Sequence, residues 1–248
     1  MNHAVVLAAQ QFLGFELCSV LLEKGWSVTA IDDSPSTGDK WMGIGRNSNV
    51  EYNSYLEWDK KIAEESIIFI PYYDLLGKGD ISCLEKMTDQ LKKGNYSNSS
   101  VVQLFPTVPI LIGKKDMSVN SSRNVTTIYL PTLYGPHQPS AFLYSQVLKN
   151  KVDNMEKVQY VDDESSAIYI KDAANIIVEK STTHKTYQLE SEGENSWEEA
   201  LSLLTSNTIP TKSKELTKKG IKLTIKSSLS PKEILQEQKR WSELAEME

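Results

Sequence analysis

The segment from His3 to Ile31 limits what this chain can fold into more than any other. His3–Ala9 is a short apolar run, rich in valine and closed by Gln10-Gln11, which is the pattern of a buried strand. Gly14 follows, and Phe15–Lys24 then sets Leu17, Val20 and Leu21 on one helical face, with Gly25 at the place where helices end in a left-handed residue. Trp26–Ile31 is a second buried strand, stopped by Asp32-Asp33-Ser34-Pro35. Strand, helix and strand in so short a space make a βαβ unit, the crossover that a pair of parallel strands requires.

The alternation continues. Ser66–Tyr72 and Val101–Phe105 are buried strands, and between them Ile81–Lys93 places Leu84, Met87 and Leu91 on one helical face. Val125–Leu130 is a further strand, followed by a helix over about 140–149. The last third reads as a strand (Ala167–Ile170), a helix (Lys171–Lys180) and a strand (Thr186–Glu190). Ser196-Trp-Glu-Glu199 and Ser230-Pro-Lys-Glu233 have the spacing of capping boxes. The expectation is an α/β fold, a Rossmann-like doubly wound parallel sheet with a small C-terminal α/β lobe. All 248 residues form one domain in this reading, with about 137–248 contributing the lobe.

Composition narrows the partners. A net charge of −6 argues against coating nucleic acid, which needs a basic face to displace counterions from phosphates. Lysines do gather at 212, 214, 218, 219, 222 and 226, but among Thr and Ser with few aromatics, which reads as solvated surface. Cys18 and Cys83, and His3, His137 and His184, have no disulfide or metal-ligand spacing, so no metal is expected. No run approaches the ~20 apolar residues of a membrane helix, and the apolar start lacks the basic residues of an export signal. A cytoplasmic protein without membrane contact is expected.

The order of motifs resembles the extended short-chain dehydrogenase/reductase family, the NAD-dependent sugar-nucleotide epimerases and dehydratases. The frame of that family's first-strand G-x-x-G-x-x-G reads Ala8-Ala9-Gln10-Gln11-Phe12-Leu13-Gly14 here. Asp32 stands where the family's ribose-binding acid sits. Leu130-Pro-Thr-Leu-Tyr-Gly-Pro136 is similar to its R-P-x-N-x-Y-G-P, and Ala167-Ile-Tyr-Ile-Lys-Asp-Ala-Ala174 to its D-F-x-Y-V-x-D-x-A. The tail with Trp241 resembles its closing helix. The resemblance implies a cofactor groove built from Gln11, Phe12, Leu13, Gly14, Asp32 and Tyr72, and a substrate side at Tyr134, Gly135 and His137. The implied ligands are NAD, since no arginine near Asp32 favours NADP, and a nucleotide or sugar-nucleotide.

The chemistry is eroded. Glycines at the first turn let backbone approach a pyrophosphate at a helix N-terminus, and Gln11 puts a side chain there instead. Asp32 reads equally as a ribose ligand or as a turn residue. The third strand ends in Pro71-Tyr72-Tyr73 where the family has two small residues, so tyrosines fill the cleft or stack on a base. The family's catalytic tyrosine works with a lysine one helical turn on, which brings the phenol toward neutrality. No tyrosine of this chain has lysine at i+4, and the stretch between Phe105 and Val125 is too short for the helix that carries the pair. No catalytic residue is therefore assigned, and Thr107, near the family's catalytic hydroxyl, reads as structural. The family's phosphate-gripping arginine is replaced within Glu164-Ser165-Ser166, and Asp162-Asp163-Glu164 would repel a diphosphate. His137 reads as exposed loop. Without the catalytic helix, the family's four-helix dimer is expected to be absent. The leading reading is a non-catalytic relative that binds a nucleotide or a protein partner. An active epimerase or reductase with an atypical site, using Tyr72 or Tyr73, and a scaffold with no ligand are the alternatives.

Overall fold

The computed structural model describes residues 2–32, 39–58, 62–63, 65–78, 86, 88–89, 99–109, 124–149, 159–206, 216–217 and 219–246. Strand β1 (His3–Leu7), helix α1 (Phe12–Glu23) and β2 (Ser27–Asp32) form the expected βαβ unit. After them come α2 (Asp39–Met42), β3 (Val50–Ser54), β4 (Ile67–Ile70), a 3-10 turn (Tyr72–Asp74), α3 (Leu75–Lys78), β5 (Ser100–Pro106) and β6 (Val125–Leu130). The remainder holds β7 (Thr132–Tyr134), α4 (Leu143–Leu148), β8 (Ala167–Tyr169), α5 (Ile170–Lys180), β9 (Thr186–Ser191), α6 (Ser196–Ser202), β10 (Ile221–Ile225) and α7 (Pro231–Glu246).

Eight strands make one parallel sheet in the order β10-β9-β6-β5-β4-β1-β2-β3. The order reverses between β1 and β4, and the crevice beyond the carboxyl ends of strands at such a reversal is where doubly wound folds bind ligands. Both faces of the sheet are covered, as near-continuous apolar strands require. Ala4 and Val6 of β1, with Ile67 and Phe69 of β4, join α1 and α5 in the larger core. Their neighbours Val5, Leu7, Ile68 and Ile70 pack on the other face with Ile31, Tyr72 and Trp58. The period of two along each strand thus divides one apolar run between two cores.

Of the strands after residue 137, β9 and β10 belong to the main sheet, while β8 pairs with β7 in a separate two-stranded sheet. The described lysines of the lysine-rich stretch, Lys219, Lys222 and Lys226, are exposed as expected, and Ile221–Ile225 among them is a sheet-edge strand whose Lys222 ion-pairs with Glu190 at 2.8 Å. Lys212, Lys214 and Lys218 lie outside the described residues, as do most of the helix expected over 81–93, Cys83, and 110–123 of the segment where the catalytic helix was expected to be missing.

The two capping boxes part ways. Ser230 and Glu233 bond reciprocally, the Ser230 amide donating to the Glu233 carboxylate (2.8 Å) and the Glu233 amide to the Ser230 hydroxyl (3.4 Å). Ser196 does not cap. Asn195 holds the N-cap position at φ 56°, and the Ser196 hydroxyl instead accepts from the Ala167 amide at 2.9 Å, pinning β8 to α6.

Candidate functional site

The crevice at the β1/β4 reversal begins at the turn Ala8–Gln11. Ala8 takes the left-handed conformation (φ 51°), and the Gln11 amide donates back to its carbonyl at 2.9 Å. A Cβ on Gly14 would lie 2.1 Å from that same carbonyl oxygen, so Gly14 is required by the approach of helix to strand. Its role as packing residue needs no ligand.

The start of α1 points its amides at a carboxylate belonging to the chain. Asp74, reaching over from the end of β4, accepts from the Leu13 amide at 2.8 Å and from the Gly14 amide at 2.9 Å. A helix N-terminus attracts anions, and in doubly wound folds this one receives the pyrophosphate of a dinucleotide. Asp74 is buried, and burial pushes its carboxyl up to about 7 against the downward pull of the two amides and of Lys40.

Asp32 and Gln11 come together as the sequence suggested, but they bond to each other. The Gln10 amide (2.8 Å) and the Gln11 side-chain amide (3.2 Å) both donate to one Asp32 oxygen. The Gln10 side chain donates to the Tyr52 hydroxyl at 2.6 Å, and the Lys40 ammonium to the Gln10 carbonyl while lying 5.1 Å from the centre of the Phe15 ring. Asp32 thus sits at the end of β2 with one carboxylate oxygen held by the Ala8–Gln11 turn.

Tyrosine fills the next part of the crevice. Tyr73 is buried, stacks on Phe142 (centroids 5.9 Å apart), and accepts from the Leu133 amide through its hydroxyl at 2.7 Å. Phe12 lies against the same Phe142 ring at 6.5 Å. Burial drives the Tyr73 phenol well above its ordinary pKa, the opposite of what a proton-shuttling tyrosine needs. Tyr72, expected beside the cofactor, faces the other side of the sheet, stacked 4.6 Å from Phe105 with its hydroxyl 3.2 Å from that of Thr88.

The substrate-side residues are also engaged. Tyr134 packs edge-on to Tyr144 at 5.5 Å and is buried. Gly135, at φ 141°, lies so close to Ile170 and Tyr169 that a Cβ would be 3.0 Å and 3.1 Å from them, and its amide donates to Gln238 of α7 at 3.2 Å. His137 is not exposed loop: Trp241 (4.7 Å) and Phe15 (5.7 Å) flank its ring, and burial, aided by Lys40, lowers it to about 4. The acidic run is turned inward. Asp162 accepts from the Leu143 amide and the Trp197 indole, both at 3.0 Å, and Asp163 from Thr107 and from the Ser165 amide. Asp162 and Asp163 therefore fasten the segments around β7 and β8 to one another. Thr107 spends its hydroxyl there too, which makes it structural.

Asp74, Lys40 and Phe142 were not singled out from sequence. The one available signal was Asp74 itself, a lone acid in the otherwise uncharged run Pro71–Gly77, next to a turn that had lost its glycines. Among the described residues no group of His, Cys, Asp or Glu could hold a metal ion, and no helix is long and apolar enough to cross a membrane.

No protein-family model and no curated protein matches the sequence. Solved structures do match over the whole length. A dTDP-glucose 4,6-dehydratase from Bacillus anthracis, solved with NAD, superposes with a TM-score of 0.61 at 14% identity, covering 100% of this chain and 98% of its own. The chain has the fold of the NAD-bound sugar-nucleotide dehydratases and epimerases. A UDP-glucuronic acid 4-epimerase from Bacillus cereus, also with NAD, gives 0.63 at 15% identity over 98% of this chain and 99% of the other. A UDP-glucose 4-epimerase from Bifidobacterium longum, with NAD+ and UDP, gives 0.59 at 11% over 98% of both. At the corresponding reversal of the present chain, Asp74 accepts from the Leu13 and Gly14 amides, and Phe142 packs on Phe12 and Tyr73.

Proposed function

We propose that this chain is a non-catalytic relative of the NAD-dependent epimerases and dehydratases, a cytoplasmic pseudoenzyme whose dinucleotide crevice is closed by its own side chains and which works through a protein partner. The observation that carries the reading is the Asp74 carboxylate on the Leu13 and Gly14 amides. An anion at that helix start would have to displace the Asp74 carboxyl from the two amides, leaving a buried polar group without its partners. Tyr73 and Phe142 support the same reading from the far side of the crevice, where small residues would have to give a nicotinamide room. The absence of any Tyr-x-x-x-Lys spacing in the sequence removes the proton shuttle that the family's chemistry depends on.

Isothermal calorimetry with NAD, NADP, UDP and UDP-glucose tests the proposal. No saturable heat is expected for the dinucleotides at millimolar concentration, and no turnover of UDP-glucose in the presence of NAD. Micromolar NAD binding that survives in wild type, or any conversion of the sugar-nucleotide, would overturn it in favour of an active enzyme with an atypical site.

A further inference from the structure

Away from the crevice, the C-terminal ends of α4 and α6 and one flank of α7 enclose an open groove of about 550 Å³. Its floor is apolar: Leu148, Leu203, Leu204 and Leu235. Leu203 is 52% exposed, and it differs from the other exposed large apolar side chains of the described residues in lining a groove with three further leucines. The rim is basic. Lys149 stands at the end of α4, and Lys232 and Lys239 line the groove from α7, seven residues or two helical turns apart. Glu243 is the acidic member of the rim, 3.8 Å from Lys239. Three ammonium groups against one carboxylate is a local reversal in a chain whose net charge is −6.

We propose that this groove is the docking site for an acidic amphipathic helix of a partner protein. Apolar side chains of such a helix would cover the leucine floor, and carboxylates along its edge would meet the lysine rim. The spread of the rim selects this occupant. Lys232 and Lys239 are about 10 Å apart along their helix axis, so an occupant with a single anionic head, such as a fatty acid, reaches only one of them, whereas glutamates on successive turns of a helix reach both. The proposal names the surface for the partner invoked above, yet it does not depend on the crevice being closed, since the two sites share no residue.

The probe is a fluorescein-labelled peptide of about four helical turns with leucines at i, i+3, i+4 and i+7 and glutamates flanking them, followed by fluorescence anisotropy at low salt. Its counterpart carries lysine in place of glutamate. Wild-type full-length protein is expected to bind the acidic peptide and not the basic one. Lys149→Glu, Lys232→Glu and Lys239→Glu together should weaken binding by about ten-fold or more, with most of the loss in association rate. Leu203→Asp should weaken it without changing the preference for acid over base. Lys232, Lys239 and Leu203 are exposed and Lys149 is half-buried, and circular dichroism checks that both variants fold. Equal binding of the two peptides, or binding untouched by charge reversal, overturns the proposal. So does failure of a Leu203→Cys, Cys83→Ser variant to react with a thiol reagent in the native state, since the chain then covers the groove itself. Self-association that depends on Leu203 in sedimentation likewise replaces the partner with a second copy. A calorimetric NAD response in the same preparations bears on the crevice alone, so the two readings fail separately.

Discussion

The Tyr169 hydroxyl donates to the Glu237 carboxylate across 3.1 Å, and that bond ties β8 to the final helix beside a second pair, Lys171 with Glu23 at 2.8 Å. Glu16 of α1 completes the group. Burial pushes its carboxyl up to about 7, Lys171 pulls it down, and Glu23 and Glu237 push it further up. An unfolded glutamate titrates near 4.5. At this group the folded protein therefore holds more protons than the unfolded chain between these values, and the contribution of Glu16 to stability falls as pH rises through that interval. Glu16→Gln is expected to flatten the fall by about 1–2 kcal/mol, less than the full shift because water reaches the side chain. Urea unfolding of wild type and variant from pH 5 to pH 8 measures it; parallel curves would refute the assignment.

Removing Asp74 separates its two possible roles. Asp74→Ala leaves the Leu13 and Gly14 amides without their acceptor, at a cost of about 2–4 kcal/mol. If the carboxylate stands in for a bound anion, sulfate should raise the melting temperature of the variant by several degrees more than that of wild type. An equal response in both proteins would mean that the helix start is not an anion site once vacated.

Much of the fold could be read from the sequence because its signals are local. Valine-rich runs, Gly25 after α1 and the apolar face of α5 depend on neighbours in the chain, and β1, α1, β2, β4, β5 and β6 fall where those patterns put them. The site was harder because its partners are distant in sequence. Asp74 meets Leu13 from 61 residues away, and Gln238 meets Gly135 from 103. Gln11 and Asp32 were read as crevice residues, but nothing local says that their side chains bond each other. Asp162 and Asp163 looked like a repulsive surface patch because charge is visible in a sequence and burial is not. Ser196-Trp-Glu-Glu199 had the spacing of a cap, and the Ala167 amide claimed its hydroxyl first.

The two glycines around α1 should respond differently to the same methyl group. At Gly14 a Cβ would stand 2.1 Å from a backbone oxygen, which can yield only by moving the helix off the strand. Gly14→Ala is expected to cost more than about 3 kcal/mol or to prevent folding. Gly25 has nothing within 4 Å, and its φ of 74° is the whole penalty, so Gly25→Ala should cost about 1 kcal/mol. Guanidinium denaturation of the two variants decides the matter, and similar losses would contradict the packing role given to Gly14.

Tyr73 makes two contacts that substitution can take apart, the Leu133 bond and the Phe142 stack. Tyr73→Phe keeps the ring on Phe142 but leaves the buried Leu133 amide without an acceptor, which should cost about 1–3 kcal/mol. Tyr73→Ala also removes the ring, and with it the contact that fills the space beside Phe12 and Phe142, for about 3–5 kcal/mol. The larger loss should come with a gain: a ring-sized cavity that takes up a small aromatic such as indole and is stabilised by it, while wild type and Tyr73→Phe are not. Thermal melts with and without indole read this directly. Stabilisation of all three proteins alike would show that the crevice is open in wild type and that Tyr73 does not fill it.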